Sequence, residues 1–252
     1  MPIHAREEGP VTILQLDLGR GNALIHGSIR AIEGALDAVE RSPARAVVLT
    51  GTGRTFSVGL DLLALEGLDR QALGDFVDAF EGLFRRVFAF PLPIVAAIDG
   101  HAIAGGCILA MACDHRVISP GSHRIGVTEV ALGIPFPAAA FEITRQATPR
   151  AARAQVLLEG RRFTPEEAVA LGLVHRLAGE RGPVREAQEV AAAFSKGSRE
   201  AVADTKADLC APVLRRIDSS AAVRKERFLD RWFSAEAQAR IEAVRAELRK
   251  RR

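Results

Sequence analysis

The sequence predicts an α/β fold, because its first half alternates short apolar segments typical of strands with segments of helical periodicity. Three segments, VTILQLDL, AVVLT and PIVAAID, are short and rich in β-branched or small apolar residues, as strands are. From Phe136 onward the pattern is mainly helical, and beyond about Lys196 it indicates helices to the end of the chain. With 252 residues, 48% of them hydrophobic, the chain can bury a sizeable core as one domain, or as one domain with an appendage.

Helical spacing of apolar residues defines two helices in the first half, one on each side of the strand AVVLT. In the first helix these positions are Ile29, Ile32, Leu36 and Val39. In the second helix they are Phe76, Phe80, Leu83, Phe84, Val87 and Phe88. The second helix should end before the segment FPLP, because proline disfavours helical geometry in the residue that precedes it.

The strand PIVAAID is apolar almost throughout, which predicts burial on both of its faces. A helix is expected after it, beginning at the paired glycines of AGGCILAMA, and the short strand HRVIS follows that helix. Further along, FTPEEAVALGLV starts a helix with Thr164 at the N-cap, Pro165 at the first helical position and Glu167 as the carboxylate of a capping box. Glu166 and Glu167 are therefore interpreted as structural residues.

The net charge of +3 is small for this length and does not indicate a nucleic-acid partner. It results from 34 basic against 31 acidic residues, and much of the excess lies in the final segment RAELRKRR. A basic run of this kind is typical of a solvated helix end, where cations interact favourably with the helix dipole. RNA binding through this tail is a weak alternative, since no aromatic-rich binding module accompanies it.

Cysteine usage and the N-terminus favour a reducing, cytoplasmic location. The three cysteines, Cys107, Cys113 and Cys210, are odd in number and lack CxxC spacing, which favours free thiols over disulfides or a metal site. The first segment, MPIHAREEGP, has no apolar core of a signal peptide. The longest apolar run, 92–113, contains Asp99 and several glycines, so it is interpreted as a buried strand, loop and helix rather than a membrane span.

Two adjacent glycines, Gly105 and Gly106, stand at the head of the apolar segment GGCILAMAC. Glycine costs roughly 1 kcal/mol against alanine inside a helix, so such a pair is expected at a helix end. A helix start offers unpaired N–H groups and the positive end of the macrodipole, which together bind negative charge. Close packing alone would also explain the pair, and both interpretations are open at this point.

The glycine-rich segment GTGRTFSVGLDLL does not match the motifs of nucleotide-binding or serine-hydrolase sites. Phe56 stands where a dinucleotide fingerprint requires its third glycine. A nucleophile elbow around Ser57 would require glycine in place of Thr55. The segment that begins at Gly100 has P-loop spacing but lacks the Lys-Ser/Thr pair that would hold phosphate and magnesium.

Two glycine loops that each follow a predicted strand could instead form an oxyanion hole. One ends in Gly59-Leu60-Asp61, and the other contains the glycine pair. Backbone N–H groups that converge from separate loops are the components of such a hole, and a base must lie beside it. Glu129, in RIGVTEVALGIPFP, is the candidate because its apolar neighbours would raise its pKa into the range of a general base. A structural capping or ion-paired role for this glutamate is the alternative.

The segments GTGRTFSVGLDL, AIDGHAIAGGCILAMACDHRV and IGVTEVALGIPFP resemble the successive motifs of the crotonase superfamily, the enoyl-CoA hydratases and isomerases. The resemblance runs in order from about Val11 to Leu177. It implies a spiral of β-β-α units in an acyl-CoA-binding core over residues 1–195 and a helical trimerisation region over residues 196–252. It also implies an acyl-CoA substrate, no cofactor beyond the coenzyme A of that substrate, and a homotrimer or dimer of trimers.

The resemblance assigns roles to individual residues. The oxyanion-hole amides fall on Leu60 and Gly105, Glu129 becomes the acid–base, and the main chain of Val58 is placed against the CoA adenine. The other residues that it places against substrate are Gly59, Asp61, Gly106, Ile108 and Phe136. The segment Pro135-Phe136-Pro137 departs from the glycine-rich turn of hydratases, so we expect a reshaped acyl pocket.

One departure from the hydratase pattern changes the predicted reaction. Hydratases read GGGCEL where this chain reads AGGCIL, so Ile108 replaces the first of their two catalytic glutamates. A single carboxylate, Glu129, suits a double-bond shift from a 3-enoyl to a 2-enoyl thioester in fatty acid metabolism. The chain is similar in this respect to mitochondrial-type Δ3-Δ2-enoyl-CoA isomerases. The alternatives are a hydratase, hydrolase or decarboxylase of the same superfamily, or a non-catalytic acyl-CoA-binding protein.

Overall fold

The structure is a computed structural model that describes residues 2–250. Its strands are β1 (Ile3–Glu8), β2 (Val11–Leu16), β3 (Ala46–Thr50), β4 (Thr55–Ser57), β5 (Ile94–Ile98), β6 (His101–Ile103), β7 (His115–Ile118), β8 (Ile125–Gly126) and β9 (Arg176–Leu177). Its α-helices are α1 (His26–Glu40), α2 (Arg70–Phe88), α3 (Gly105–Ala112), α4 (Ala138–Ala147), α5 (Arg153–Leu158), α6 (Pro165–Ala170), α7 (Gly182–Phe194), α8 (Arg199–Trp232) and α9 (Ala235–Lys250). Short 3-10 turns lie at Arg20–Asn22, Glu129–Leu132 and Arg150–Ala152.

Three successive segments each contribute a strand to a large sheet, a strand to a small sheet, and then a helix. They are β3-β4-α2, β5-β6-α3 and β7-β8-α4. The large sheet has the strand order β1-β2-β3-β5-β7-β9, and the small sheet has the order β4-β6-β8. Strands β1 and β2 pair antiparallel, whereas the pairs of the three repeated segments are parallel. This arrangement confirms the predicted α/β spiral of β-β-α units.

The central strands of the large sheet are buried on both faces because their residues alternate between two cores. Val48 lies in a small cluster with Ala187 and Ala191 of helix α7, which covers one face. Val47 and Leu49 lie on the other face, in the main core. Strands β3 and β5 are buried at every residue, as their continuous apolar sequences predict.

Most of the expected elements are present. The apolar positions predicted for α1 are all buried, and those of α2 are buried except the last, Phe88. Helix α2 ends at Phe88, before the prolines. The predicted capping box opens α6: the amide of Glu167 donates to the Thr164 hydroxyl at 3.2 Å, and the amide of Thr164 donates to the Glu167 carboxylate at 2.8 Å. Strand β1 was not expected, since its mostly exposed segment IHAREE is too polar to show a strand pattern.

The C-terminal helices pack against the rest of the chain. Helix α8 contacts α2 and α4, and α9 contacts the 3-10 turn that begins at Glu129. The interpretation of the basic tail as a solvated helix end is wrong for Arg245, because this side chain is buried and its Nε donates to the Leu62 carbonyl at 2.8 Å. Arg249 is also engaged, by Glu66 and Glu242. The last two arginines of the tail lie outside the described residues.

The three cysteines are free and buried, as expected. Within residues 2–250, no helix is long and apolar enough to span a lipid bilayer. The boundary at residues 195 and 196 between a core and an oligomerisation region stays a prediction.

Candidate active site

The small sheet brings three loops to one place. Its strands run parallel, so their carboxyl ends meet at one edge, where ligands commonly bind in α/β proteins. The loop 58–60 follows β4, Ala104 and Gly105 follow β6, and Glu129 lies three residues beyond the end of β8. The topology thus brings the predicted oxyanion loops and the predicted base together.

Close packing by backbone or side-chain atoms accounts for the glycines of both loops. A Cβ on Gly59, whose φ is +76°, would lie 2.6 Å from the backbone nitrogen of Gly105. A Cβ on Gly105 would lie 2.6 Å from Cζ of Phe80. A Cβ on Gly106 would lie 2.0 Å from the carbonyl oxygen of Ser57. These contacts leave no room for a side chain, and they set the two predicted amides on adjoining stretches of backbone.

The two predicted oxyanion amides are available to a ligand. Within residues 2–250, neither the N–H of Leu60 nor that of Gly105 donates a hydrogen bond to another protein group. The neighbouring backbone is fixed, since the amide of Leu24 donates to the carbonyl of Gly59 at 2.7 Å. The first N–H groups of a helix have no intrahelical partner, and Gly105 is the first residue of α3. This arrangement can accept a developing oxyanion.

Ala104 holds an unusual backbone conformation immediately before Gly105. Its φ of 49° and ψ of −125° are rarely adopted by a residue with a Cβ, and such strain costs on the order of 1–3 kcal/mol. The amide of Ala104 donates to the carbonyl of Gly126 at 2.8 Å, which ties this strained link to strand β8. The conformation turns the chain from β6 into α3 and therefore sets the direction of the Gly105 N–H.

Glu129 is a buried carboxylate with a free oxygen. Its side chain is 7% exposed, and among the residues that the structure describes its Oε2 atom has no hydrogen-bond partner. Burial raises the pKa of Glu129 from its usual 4.5 to about 7, although the backbone amides of Glu129 and Thr128 act in the opposite direction. A carboxylate with this pKa can both accept and return a proton near neutral pH.

Glu129, Leu60 and Ile108 line one narrow cavity. Its other lining residues are Leu73, Phe76, Val77, Phe80, Ile134, Pro137, Ala140 and Phe228. These side chains are apolar, so Glu129 is the ionisable group of this wall. The centre of a water molecule can move within about 20 Å³ of the cavity, which is room for about one water. The arrangement suits proton transfer on an apolar ligand whose oxygen reaches the two free amides.

Burial of the Glu129 carboxylate should make the free energy of unfolding depend on pH. Because the pKa of Glu129 is about 7 in the folded protein and near 4.5 when unfolded, the folded state must carry a buried anion above pH 7 but not below pH 4.5. Glu129→Gln removes the free-energy cost of burying this anion. We expect the free energy of unfolding of the variant, relative to wild type, to rise by about 3 kcal/mol between pH 4.5 and pH 8.

Urea unfolding followed by circular dichroism at both pH values measures this difference. Glu7→Gln, at an exposed site on β1, serves as the matched control and should show no such rise. A constant difference between Glu129→Gln and wild type over this range would contradict the raised pKa.

The remaining residues that were predicted to contact substrate differ in their exposure and in their hydrogen bonds. Val58 is exposed beside Gly21, whose carbonyl accepts from the Val58 amide at 2.9 Å. The carboxylate of Asp61 is engaged by its own loop, accepting from the amides of Leu63 and Ala64 at 3.0 and 3.2 Å. Phe136 is buried but does not line the cavity, and neither do the predicted site glycines Gly59, Gly105 and Gly106.

Three features near the cavity were missed from the sequence. They are the Phe80 ring against Gly105, the strained Ala104, and Glu81, whose carboxylate accepts from the amides of Ala139 and Ala140. Burial raises the pKa of Glu81 to about 7, opposed by these amides and that of Ala138. A signal for Glu81 existed: it lies four residues after Val77 and three before Phe84, on the apolar face of α2.

Within residues 2–250, no three His, Cys, Asp or Glu side chains form a group that could hold a metal ion. The absence of a metal or separate cofactor from the reaction remains a prediction.

The sequence matches the family model described as enoyl-CoA hydratase/isomerase over residues 7–251. A Thermus thermophilus protein, whose name assigns it provisionally to the enoyl-CoA hydratases, is 37% identical over 205 residues, covering 79% of this chain and 80% of that protein. The short-chain-enoyl-CoA hydratase of Clostridium acetobutylicum is 27% identical over 249 residues, covering 98% of this chain and 94% of the relative.

Solved structures give the same fold. Human mitochondrial Δ3-Δ2-enoyl-CoA isomerase superposes with a TM-score of 0.91 at 25% identity, covering 99% of each chain. An apo structure of a Mycobacterium tuberculosis enoyl-CoA isomerase superposes with a TM-score of 0.83 at 32% identity, covering 90% of this chain and 99% of the other. The names of these relatives divide between hydratase and isomerase.

Proposed function

This chain belongs to the enoyl-CoA hydratase/isomerase family, and from that premise we propose that it moves the double bond of a 3-enoyl-CoA thioester to the 2-position. The observation that carries the proposal is that Glu129 is the single ionisable group of the cavity wall within residues 2–250. Glu129 presents a free carboxylate oxygen there, while Ile108 occupies the site at which the resemblance places the first glutamate of hydratases. Isoleucine can neither orient a water molecule nor transfer a proton.

In the proposed reaction the thioester oxygen accepts hydrogen bonds from the amides of Leu60 and Gly105. Glu129 removes a proton from C2, and the electrons of the C–H bond form an enolate conjugated with the C3–C4 double bond. The two amides stabilise the negative charge on the oxygen, aided by the dipole of helix α3. Protonated Glu129 then delivers the proton to C4, and the double bond is left between C2 and C3.

The rate should depend on pH through Glu129. The free enzyme requires the carboxylate form, so we expect kcat/KM to rise about tenfold per pH unit below pH 7 and to level off above it. The measurement is the conversion of a 3-enoyl-CoA at low substrate concentration, followed by the absorbance of the conjugated product. A profile that is flat between about pH 5 and pH 8 would contradict the role of this carboxylate.

A hydratase reaction is the second candidate, because several relatives carry hydratase names. It would require a further polar group to hold the attacking water near Glu129. The cavity wall offers apolar side chains at its other positions, so we favour the double-bond shift.

Formation of a 3-hydroxyacyl-CoA from a 2-enoyl-CoA would support the hydratase. Release of free CoA, or of carbon dioxide from a carboxylated ester, would support a hydrolase or decarboxylase. Binding of CoA esters without turnover would support a non-catalytic protein.

A trimer or dimer of trimers and a cytoplasmic location remain proposals that follow from the family resemblance. Two large apolar side chains of α8, Leu209 and Val223, are 71% and 62% exposed. Exposed apolar residues on one long helix are compatible with a subunit interface in the 196–252 region.

A further inference from the structure

A carboxylate of α2 caps the first turn of α4. Oε2 of Glu81 accepts from the amide of Ala139 at 2.6 Å, and Oε1 accepts from the amide of Ala140 at 3.0 Å. Among the described residues, Glu81 forms no ion pair with a basic side chain, and Arg85 is the cation whose charge acts on it. The N–H groups of α4 are therefore the main partners of this carboxylate.

Helix α4 has no cap of its own. The residue at its N-cap is Pro137, and its first three residues are alanines, so none of these side chains can accept a hydrogen bond. The unpaired N–H groups of a first turn must find partners elsewhere. Glu81 supplies those partners from a neighbouring helix, which joins α2 to α4 through two hydrogen bonds.

The two elements joined by Glu81 both contribute residues to the cavity wall. Val77 and Phe80 contribute from α2, while Pro137 and Ala140 contribute from the start of α4. Phe80 precedes Glu81 directly, and Ala140 is one of the two residues whose amides Glu81 holds. The hydrogen bonds of Glu81 therefore join two elements that both line the cavity.

Capping a helix with a buried carboxylate costs free energy. Burial opposes the charged form of Glu81 and raises its pKa to about 7, although three backbone amides favour the anion. A serine or aspartate at the N-cap would satisfy the same amides without joining two helices. What Glu81 provides beyond capping is a link between two helices that line the cavity.

We propose that Glu81 is a positioning residue that sets the acyl-chain length accepted by the cavity, by holding the start of α4 against α2. The narrow space that it maintains favours short acyl chains over long ones. This inference rests on the proposed function, because it requires that the cavity receive the acyl part of a CoA ester. The role of Glu81 is to hold the wall, and it takes no part in proton transfer.

The test compares the affinities of saturated butanoyl-CoA and decanoyl-CoA, which bind without reacting. Glu81→Gln keeps the size of the side chain but has one acceptor oxygen where the carboxylate has two, so one amide of α4 loses its partner. We expect the variant to shift the ratio of the two dissociation constants by about tenfold toward decanoyl-CoA, the size expected when one hydrogen bond to a charged group is lost. The kcat for a short 3-enoyl-CoA should change much less than this ratio.

Two further variants serve as a control and as a second probe of Glu81. Asp78→Asn lies on the same helix but pairs with Lys225 at the surface, so it should leave the ratio unchanged. Glu81→Asp retains the charge with a shorter reach and should give an intermediate ratio, and it replaces Glu81→Gln if that variant does not fold.

Equal weakening of both esters, or an unchanged ratio in folded Glu81 variants, would overturn the positioning role and leave the proposed function intact. Failure of the wild-type protein to bind either ester would overturn the proposed function together with this inference.

Discussion

Glu129→Gln is expected to lower the turnover of a 3-enoyl-CoA by about a thousandfold, within the range that a positioned acid–base group contributes. Glutamine has nearly the same shape as glutamate but cannot accept a proton from C2. Among the residues that the structure describes, the cavity wall holds no other ionisable side chain that could replace it. The oxyanion amides belong to other loops and remain in place, so the binding of CoA esters should persist.

The measurement pairs steady-state kinetics with calorimetric binding of a saturated acyl-CoA. Glu7→Gln, at an exposed position of β1, the edge strand of the large sheet, removes a carboxylate outside the candidate site and should keep wild-type turnover. Near-normal turnover in Glu129→Gln would show that another group moves the proton. Loss of binding in this variant would show that Glu129 shapes the cavity rather than performing chemistry.

Gly106→Ala is expected to lower the free energy of unfolding by about 4 kcal/mol or more, or to prevent folding. The added Cβ would lie 2.0 Å from the carbonyl oxygen of Ser57 and 2.5 Å from its carbonyl carbon. These are backbone atoms at the end of β4, so relief requires movement of the strand that leads into the Leu60 loop. The same change should therefore also remove activity from any molecules that fold.

Two other glycines give matched controls for this substitution. Apart from its own stretch of helix, a Cβ on Gly34 of α1 or on Gly82 of α2 would meet no described atom within 4 Å. Because alanine is favoured over glycine inside helices, these changes should be neutral or stabilise the protein by up to about 1 kcal/mol. Urea unfolding followed by circular dichroism compares the three variants. A Gly106→Ala protein as stable as Gly82→Ala would contradict the close packing of α3 against β4.

The sequence allowed prediction of the features that depend on local patterns. Continuous apolar strands such as Ile94–Ile98, the apolar faces of α1 and α2, and the capping box at Thr164 all depend on residues close together in the chain. The glycine pair at the start of α3 was located for the same reason, because glycine is unfavourable inside a helix. The raised pKa of Glu129 was predictable from its apolar neighbours in sequence.

The features that sequence reasoning missed depend on contacts between distant segments or on very short elements. Strand β8 has two residues and β4 and β6 have three each, too few to show periodicity. Glu81 reaches the amide of Ala139, 58 residues further along the chain. Arg245 is buried because the Leu62 carbonyl, 183 residues away, accepts its hydrogen bond. In each case, the partner is set by tertiary packing and leaves no pattern near the residue itself.

The most direct test of the proposed reaction is product analysis of trans-3-hexenoyl-CoA and trans-2-hexenoyl-CoA by mass spectrometry and NMR. We expect 3-hexenoyl-CoA to give 2-hexenoyl-CoA of unchanged mass, and 2-hexenoyl-CoA to gain no water. Conversion of 2-hexenoyl-CoA to a product heavier by one water molecule, with no isomerisation of the 3-enoyl ester, would contradict the account.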